Sequence, residues 1–442
     1  MFFFKLFLFR TIGFRRICLA VVCLLWLGAL AVRAADHYVS LAGTNDSAGQ
    51  YTNWAGAATQ IQWAVNFATN SETVWVSNGI YYLTNQISIT NSIALRSFSG
   101  SYTNTIINGN YPAYTNNNRG VYINNSGAVL DGFTITNCFT TNQAGAGFYA
   151  APVKLITNCL ITGNMVTQTV SWVGEYAGGY ALSGTVSHCR FIGNKITGSG
   201  GRYCGLVASA SIVSNCIIAG NESRVNGGSY AAYWGSYGGN ATAVNCVISG
   251  NISMGVRIDD GSCLLSSIVS NNTGKGISMG GARVRNCLVV QNGSDGCEIS
   301  YYNVCQIDNC TIANNGGYGV YYNWGSGYVR YIANSIIYNN KTANWGYAGT
   351  NIVYTNCCTI PIPTNMPGNP QGTDNITNTP LFTDTNIANY RLSANSPCIN
   401  AGTNRTWMIN SFDLDARPRI RYGRVDIGAY EYINNGTLYK FH

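Results

Sequence analysis

Charge is scarce in this chain. Only 10% of its 442 residues are Asp, Glu, Lys or Arg, and it has three histidines. There is no Lys/Arg stripe and no interleaving of basic with aromatic residues, which argues against a nucleic-acid partner. Zinc-type CxxC pairs are missing, so no metal framework is expected from the cysteines. Helical periodicity is missing across residues 111–362, which excludes ankyrin-like and tetratricopeptide-like arrays. What the chain has instead is 51 Gly and 30 Tyr, the profile of an extended, turn-rich β protein.

Residues 1–34 stand apart. Arg10, Arg15 and Arg16 precede an apolar stretch from Ile17 to Leu30, and Val32-Arg33-Ala34 offers a small-residue cleavage site, the pattern of a secretory signal peptide. The apolar stretch is shorter than the ~20 residues of a spanning helix, and no transmembrane helix is expected in the mature chain. Removing this segment takes away five cations and no acid, lowering the formal charge from +8 to +3. The expected destination is outside the cytoplasm: extracellular, on the cell surface or outer membrane, or in the periplasm. Loss of Cys18 and Cys23 leaves 14 of the 16 cysteines in an exported chain, where disulfides would be the ordinary expectation.

Their spacing points elsewhere. TNCLITGN (Thr157 to Asn164), SHCRFIGN (Ser187 to Asn194), SNCIIAGN (Ser214 to Asn221), VNCVISGN (Val244 to Asn251) and DNCTIANN (Asp308 to Asn315) repeat one motif. With Asn245 as position one, equivalent residues are Asp131, Asn158, His188, Asn215, Ser266, Asn286, Asn309, Asn334 and Asn356. Position seven is Asn in the first nine units, from Asn137 to Asn340. Cys159, Cys189, Cys216, Cys246, Cys287, Cys310 and Cys357 all fall at position two and are expected to stack as small buried residues. A second short strand, opened by glycine, precedes each unit: GVYI at Gly120, GFYA at Gly147, GLVA at Gly205, GVRI at Gly255, GISM at Gly276, GCEI at Gly296 and GVYY at Gly319.

Short strands recurring every 20 to 30 residues describe stacked coils. Equivalent asparagines would lie ~4.8 Å apart up the stack, close enough for one amide to donate to the next. Asparagine also tolerates the left-handed backbone of a tight corner. Residues 54–69 place Ala57, Ile61, Ala64, Val65 and Ala68 on one helical face, with Asn53 as a candidate N-cap, and this helix is expected to cover the open end of the stack.

The segment TQIQWAVNFATNSETVWVSNGIYY with the repeats behind it resembles right-handed parallel β-helix proteins of the pectin-lyase-like superfamily. NYRLSANSPCINAG, DLDARPRI and VDIGAYEY resemble the closing segment of bacterial choice-of-anchor Q β-helix proteins. Together the matches cover nearly all of the mature chain. The expected fold is all-β: a single-stranded right-handed parallel β-helix (solenoid) of about ten coils with an N-terminal helix cap. Residues 35–110 would form the cap and first coils, 111–362 the repeats and 363–442 the closing segment, in which Asp413, Asp415 and Asp426 are expected to pair with Arg417, Arg419, Arg421 and Arg424. After Tyr432 only INNGTLYKFH follows, which points to release or periplasmic retention beside surface attachment.

The resemblance embraces lyases, hydrolases, epimerases and silent adhesins, so function must come from a site. Arg257, Asp259, Asp260 and Glu298 form the candidate catalytic group. Asp259 and Glu298 could act as acid and base in glycoside hydrolysis, or Arg257 as base in a lyase, the one case in which Ca2+ would be a cofactor. Of the polygalacturonase-like signature only the pair Asp259-Asp260 is present, and the dense acidic calcium cluster of pectate-lyase-like enzymes is missing. His188 stands where Asn normally does and reads as a turn residue. Tyr122, Tyr149, Tyr321, Tyr322 and Trp324, with Tyr233 nearby, are candidate binding residues, because exposed rings can stack on sugar faces. Stacking among these rings, stiffening the coil, is the competing expectation. The leading expectation is an exported bacterial scaffold, adhesin-like and non-catalytic, that binds a polysaccharide or cell-surface glycan along a long groove. A polysaccharide lyase or glycoside hydrolase is the alternative.

Overall fold

The computed structural model describes residues 34–113, 117–169, 176–198, 202–224, 231–235, 239–259, 261–300, 303–323, 328–347, 352–363 and 373–433. All but the last residue of the expected signal peptide lies outside these. One compact unit begins at Asp36, and everything below concerns it.

Its strands form parallel sheets that wrap one apolar core. The second sheet has 12 strands, from Gly79–Tyr82 to Cys358–Thr359. The first sheet, running from Asp36–Val39 to Ile352–Thr355, and the third, from Ile87–Ile89 to Ala343–Tyr347, are hydrogen-bonded into a 22-stranded array. A 4-stranded sheet over residues 139–224 adds a fourth side to the middle coils. The repeat marks ten coils; Gly79–Tyr82 and Thr105–Asn108 extend the second sheet by two more that carry no asparagine signature. The strands alternate inward and outward: Ile161, Phe191, Ile218, Ile248, Val269, Val289 and Ile312 are buried in one file, as the period of two requires.

Asparagine does two separate jobs. At position one, Asn158, His188, Asn215, Asn245, Ser266, Asn286, Asn309, Asn334 and Asn356 all have φ between 45° and 55°, the left-handed corner. At position seven, the side chains of Asn164, Asn194, Asn221, Asn251, Asn272, Asn292, Asn315 and Asn340 form a buried ladder. Each Nδ2 donates to the next Oδ1 and also to a backbone carbonyl of the coil before, as Asn251 does to Ile218. The first unit departs from the expected register. Asp131 pairs with Thr157, one place before the corner, and Gly132 (φ 86°) turns the chain instead. Asn137 is therefore a second corner (φ 54°), and the ladder ends on the backbone N–H of Cys138.

The position-two cysteines are buried and free of disulfides. Each thiol donates to the carbonyl two residues back, from 3.0 Å at Cys159 to 3.5 Å at Cys357. Ser267 and Ser335 make the same bond, so what the site selects is a small side chain with one donor.

The strand-opening glycines face the ladder at close range. A Cβ on Gly276 would lie 2.6 Å from the Gly296 carbonyl oxygen and 2.8 Å from Asn292 Nδ2. Gly276→Ala should therefore lower the melting temperature by about 5 °C or more, because the obstacle is backbone and a fixed amide; a melt equal to the parent's would refute this.

The helix at the amino end is shorter than expected. It runs Ile61–Phe67 with Gln60 at its N-cap, and Asn53 instead accepts the Gly56 N–H in a preceding turn at 2.8 Å. Ile61, Ala64 and Val65 enter the core, and Ala58 pairs with Val39, covering the free edge of the first sheet.

The closing segment does not stop at the last coil. It runs back along the corner, where Asn356, Asn334, Asn309 and Asn286 donate to the carbonyls of Ala401, Thr403, Asp426 and Phe412. Tyr390, Ala429 and Tyr430 pack on the outer faces of Leu288, Val290 and Ala313. Asp415 pairs with Arg391 (2.6 Å) and Arg417 (3.5 Å). Asp413 and Asp426 mostly accept backbone N–H groups, and Arg424 bonds the Gly402 carbonyl, so the expected acid-base pairing holds only in part.

Candidate functional site

The outer face of the third sheet collects most of the residues singled out from the sequence. Strand alternation and register place Ser88, Tyr122, Tyr149, Tyr180, Val207, Trp234, Arg257, Ser278, Glu298, Tyr321 and Gly346 in one outward file. Tyr122, Tyr149, Arg257, Glu298 and Tyr321 thus share a face. Asp259 lies one outward position along its strand, in register with Gly280. Asp260 and Trp324 lie outside the described residues.

Two residues differ from expectation. Tyr322 points inward and is fully buried, its ring beneath the Arg330 guanidinium at 4.5 Å. Adjacent residues on a strand cannot both face out, and Tyr321 takes the outward place. The same rule buries Tyr233 and turns Trp234 outward.

The rings stack. Tyr122 lies on Tyr149 (5.9 Å between centroids), Tyr149 on Tyr180 (4.9 Å), Tyr180 on Tyr176 (5.2 Å) and Tyr203 on Trp234 (4.3 Å). Guanidinium groups flank the rings, Arg119 over Tyr122 (5.9 Å) and Tyr149 (5.3 Å) and Arg257 5.8 Å from Trp234. Tyr180 and Trp234 are nearly buried by this stacking, while Tyr122 and Tyr149 keep part of their surface in solvent.

Below Arg257 the face changes character. Its floor is small, with Ser278, Gly280 and Ser300, and charged groups stand around it. Asp259 accepts from Arg257 Nε (2.8 Å) and Trp234 Nε1 (3.2 Å). Glu298 accepts from Lys275 Nζ and from Asn323 Nδ2 (3.0 Å). Burial raises the pKa of the neighbouring Asp295, while the Tyr318 N–H (2.8 Å) and Lys275 pull it down and Glu298 adds to the rise. Arg257 and Glu298 are two coils apart, roughly 10 Å by strand spacing, and Asp259 and Glu298 are each engaged by a cation and a second N–H donor. Among the described residues no three His, Cys, Asp or Glu side chains gather as metal ligands.

Lys275, Asp295 and Asn323 were missed from sequence. Lys275 and Asp295 each stand immediately before a strand-opening glycine, Gly276 and Gly296, and aligning those two strands would have shown a cation stacked on an acid. Of the histidines, His188 is an exposed corner residue, and His37 is buried between the Gln50 carbonyl (2.7 Å) and Glu72 (3.0 Å). A wider cleft of about 750 Å³ lies between corner residues Asn215 and Asn245 and the closing-segment rings of Trp407 and Phe412. Its charged groups are already committed, Arg285 to Asp308 and Asp413 to backbone N–H groups.

A family described as the right-handed β-helix region matches residues 119–283. No curated protein sequence matches the chain. Among solved structures, XylC in complex with xylose superposes with a TM-score of 0.54 at 9% identity, over 91% of this chain and 99% of that one. Pectate lyase Pel9A gives a TM-score of 0.47 at 16% identity over 90% and 97%. The A-module of the Azotobacter vinelandii mannuronan C-5 epimerase AlgE4 gives 0.38 at 12% over 72% and 95%. The family match and the XylC superposition bear on the fold and on nothing finer.

Proposed function

Starting from a right-handed parallel β-helix, we propose that the outer face of the third sheet holds a polysaccharide without cleaving it, in an exported bacterial scaffold of the cell surface or extracellular matrix. One observation carries this: a single in-register file joins stacked, partly open rings to a rim whose carboxylates are already engaged by cations. Rings offer apolar surface to sugar C–H faces, and Ser, Asn and Arg groups beside them offer hydrogen bonds. Glu298 and Asp259, tied to Lys275 and Arg257, are arranged to hold a shape more than to exchange protons.

The test is retention in native gels cast with pectate, alginate, xylan or β-glucan. The parent protein should be retarded by at least one, and Tyr149→Ala should weaken that retardation about tenfold, the scale of losing one stacked ring. Equal retardation of parent and variant would remove the third sheet from the account.

A catalytic reading has one specific observation in its favour. Asp295, its pKa raised by burial, sits beside Lys275 and Glu298, so a carboxyl of raised pKa, a second carboxylate and a cation share one face, a grouping that acid-base cleavage uses. Turnover assays separate the two readings.

A further inference from the structure

The amino-terminal cap carries a surface of different chemistry. A cleft of about 470 Å³ lies between the helix Ile61–Phe67 and the strand Gly79–Tyr82 with the loop that follows it. Trp63 on the helix and Tyr82 on the strand flank it, 38% and 62% exposed. No Asp, Glu, Lys, Arg or His lines it. Its polar groups are carboxamides and hydroxyls: Gln60, Gln62, Asn66, Thr84 and Asn85 among them.

These amides are arranged in advance. Gln62 is fixed on the third sheet, accepting the Ser88 N–H at 2.6 Å and donating to the Ser88 carbonyl at 3.2 Å. It also donates to Asn66 Oδ1 at 2.7 Å, which leaves the Asn66 NH2 group as the donor for something else. Gln60, Thr84 and Asn85 are exposed, with no side-chain hydrogen bond recorded to the described residues. Trp63 and Asn66 also border a second depression with Tyr51 and Phe67, so the indole forms a ridge between two hollows.

We propose that this cleft binds a neutral oligosaccharide, independently of the third-sheet face. Two rings give sugar C–H faces a place to stack, and amides and hydroxyls match sugar hydroxyls in both donor and acceptor sense. A uronate would bring a carboxylate into a cleft that no cation lines, Arg119 behind Gln86 being bonded to the Gln86 amide and to the carbonyls of Ala144 and Gly145, at a desolvation cost. An apolar protein surface would leave the amides covered and unpaired. Hydroxyl-rich and uncharged is the ligand class that leaves nothing unsatisfied.

The test is calorimetric titration of the purified protein with cellohexaose, xylohexaose and mannohexaose, and with hexagalacturonate as the acidic control. At least one neutral hexasaccharide should bind. Trp63→Ala and Tyr82→Ala should each weaken it about tenfold or more, and Trp63→Phe should restore most of the loss. Both rings are exposed, so melting temperatures of the variants should match the parent and report that folding is intact. Failure of all three neutral ligands to bind, or binding that survives both alanine variants, overturns the proposal.

Discussion

Asn251→Ala is expected to destabilise the protein by about 3 kcal/mol or more, while Asn245→Gly, six residues earlier in the same motif, should change stability by less than about 0.5 kcal/mol. The two asparagines look alike in sequence and sit in opposite environments. Asn251 is fully buried, donates to Asn272 Oδ1 (2.8 Å) and the Ile218 carbonyl (3.0 Å), and accepts from both the N–H and the Nδ2 of Asn221. Alanine would leave a carbonyl, an amide and a backbone N–H buried with fewer partners, and each orphan costs about 1–3 kcal/mol. Asn245 is exposed at φ 54°, a conformation glycine adopts without strain. Urea unfolding of the two variants checks this, and equal losses would mean that the ladder is not what holds the coils in register.

Arg419→Met should release the closing segment. The guanidinium is completely buried and lies 3.3 Å from Glu431, 3.3 Å from Asn286 Oδ1 and 2.9 Å from the Gly428 carbonyl. Asp413 and Asp426 also act on it. Removing the one buried cation of this cluster takes the donor from Asn286 and from the Asp426 and Gly428 carbonyls and the counter-ion from the acids around it, a loss of about 3–5 kcal/mol. It should appear as protease cleavage within residues 373–433 while the coils stay protected.

The same cluster predicts a pH dependence of defined sign. Burial pushes the Glu431 carboxyl from 4.5 up to about 8, against the pull of Arg419, and burial raises Asp426 as well. A carboxyl that binds its proton more tightly folded than unfolded stabilises fully below its unfolded pKa, and that stability is lost as pH rises through the folded one. The closing segment should therefore loosen between pH 4.5 and about 8, and Glu431→Gln should flatten the curve. Constant protection across that range in the parent would contradict the assignment.

How much of this was legible depended on whether one residue type had one job. The position-two cysteines could be read, because a small residue recurring at a fixed offset has to pack. The ladder could be read from Asn164 onward, but not in the first unit. There Gly132 supplies the corner and shifts the frame by one residue, and Asn137 mimics a ladder asparagine. The closing segment's path along the side of the coils left a fainter trace. Leu288, Val289 and Val290 are apolar at successive positions, which a strand needs only when both its faces are covered. Tyr322 was misplaced because two adjacent aromatics were both given an outward role that alternation allows to one. The charged rim was only half visible, since Lys275 and Asp295 reach Glu298 from loops ahead of their strands and not along them.

The central claim is that the third-sheet face holds a polysaccharide and leaves it intact. Its most direct test incubates the protein with pectate, alginate, xylan and β-glucan, with and without calcium, and follows unsaturated products by ultraviolet absorbance together with new reducing ends. The account predicts retention of at least one polymer with neither signal above a protein-free control. Product formation that disappears in Glu298→Gln or Asp295→Asn would contradict it and make the same face an active site.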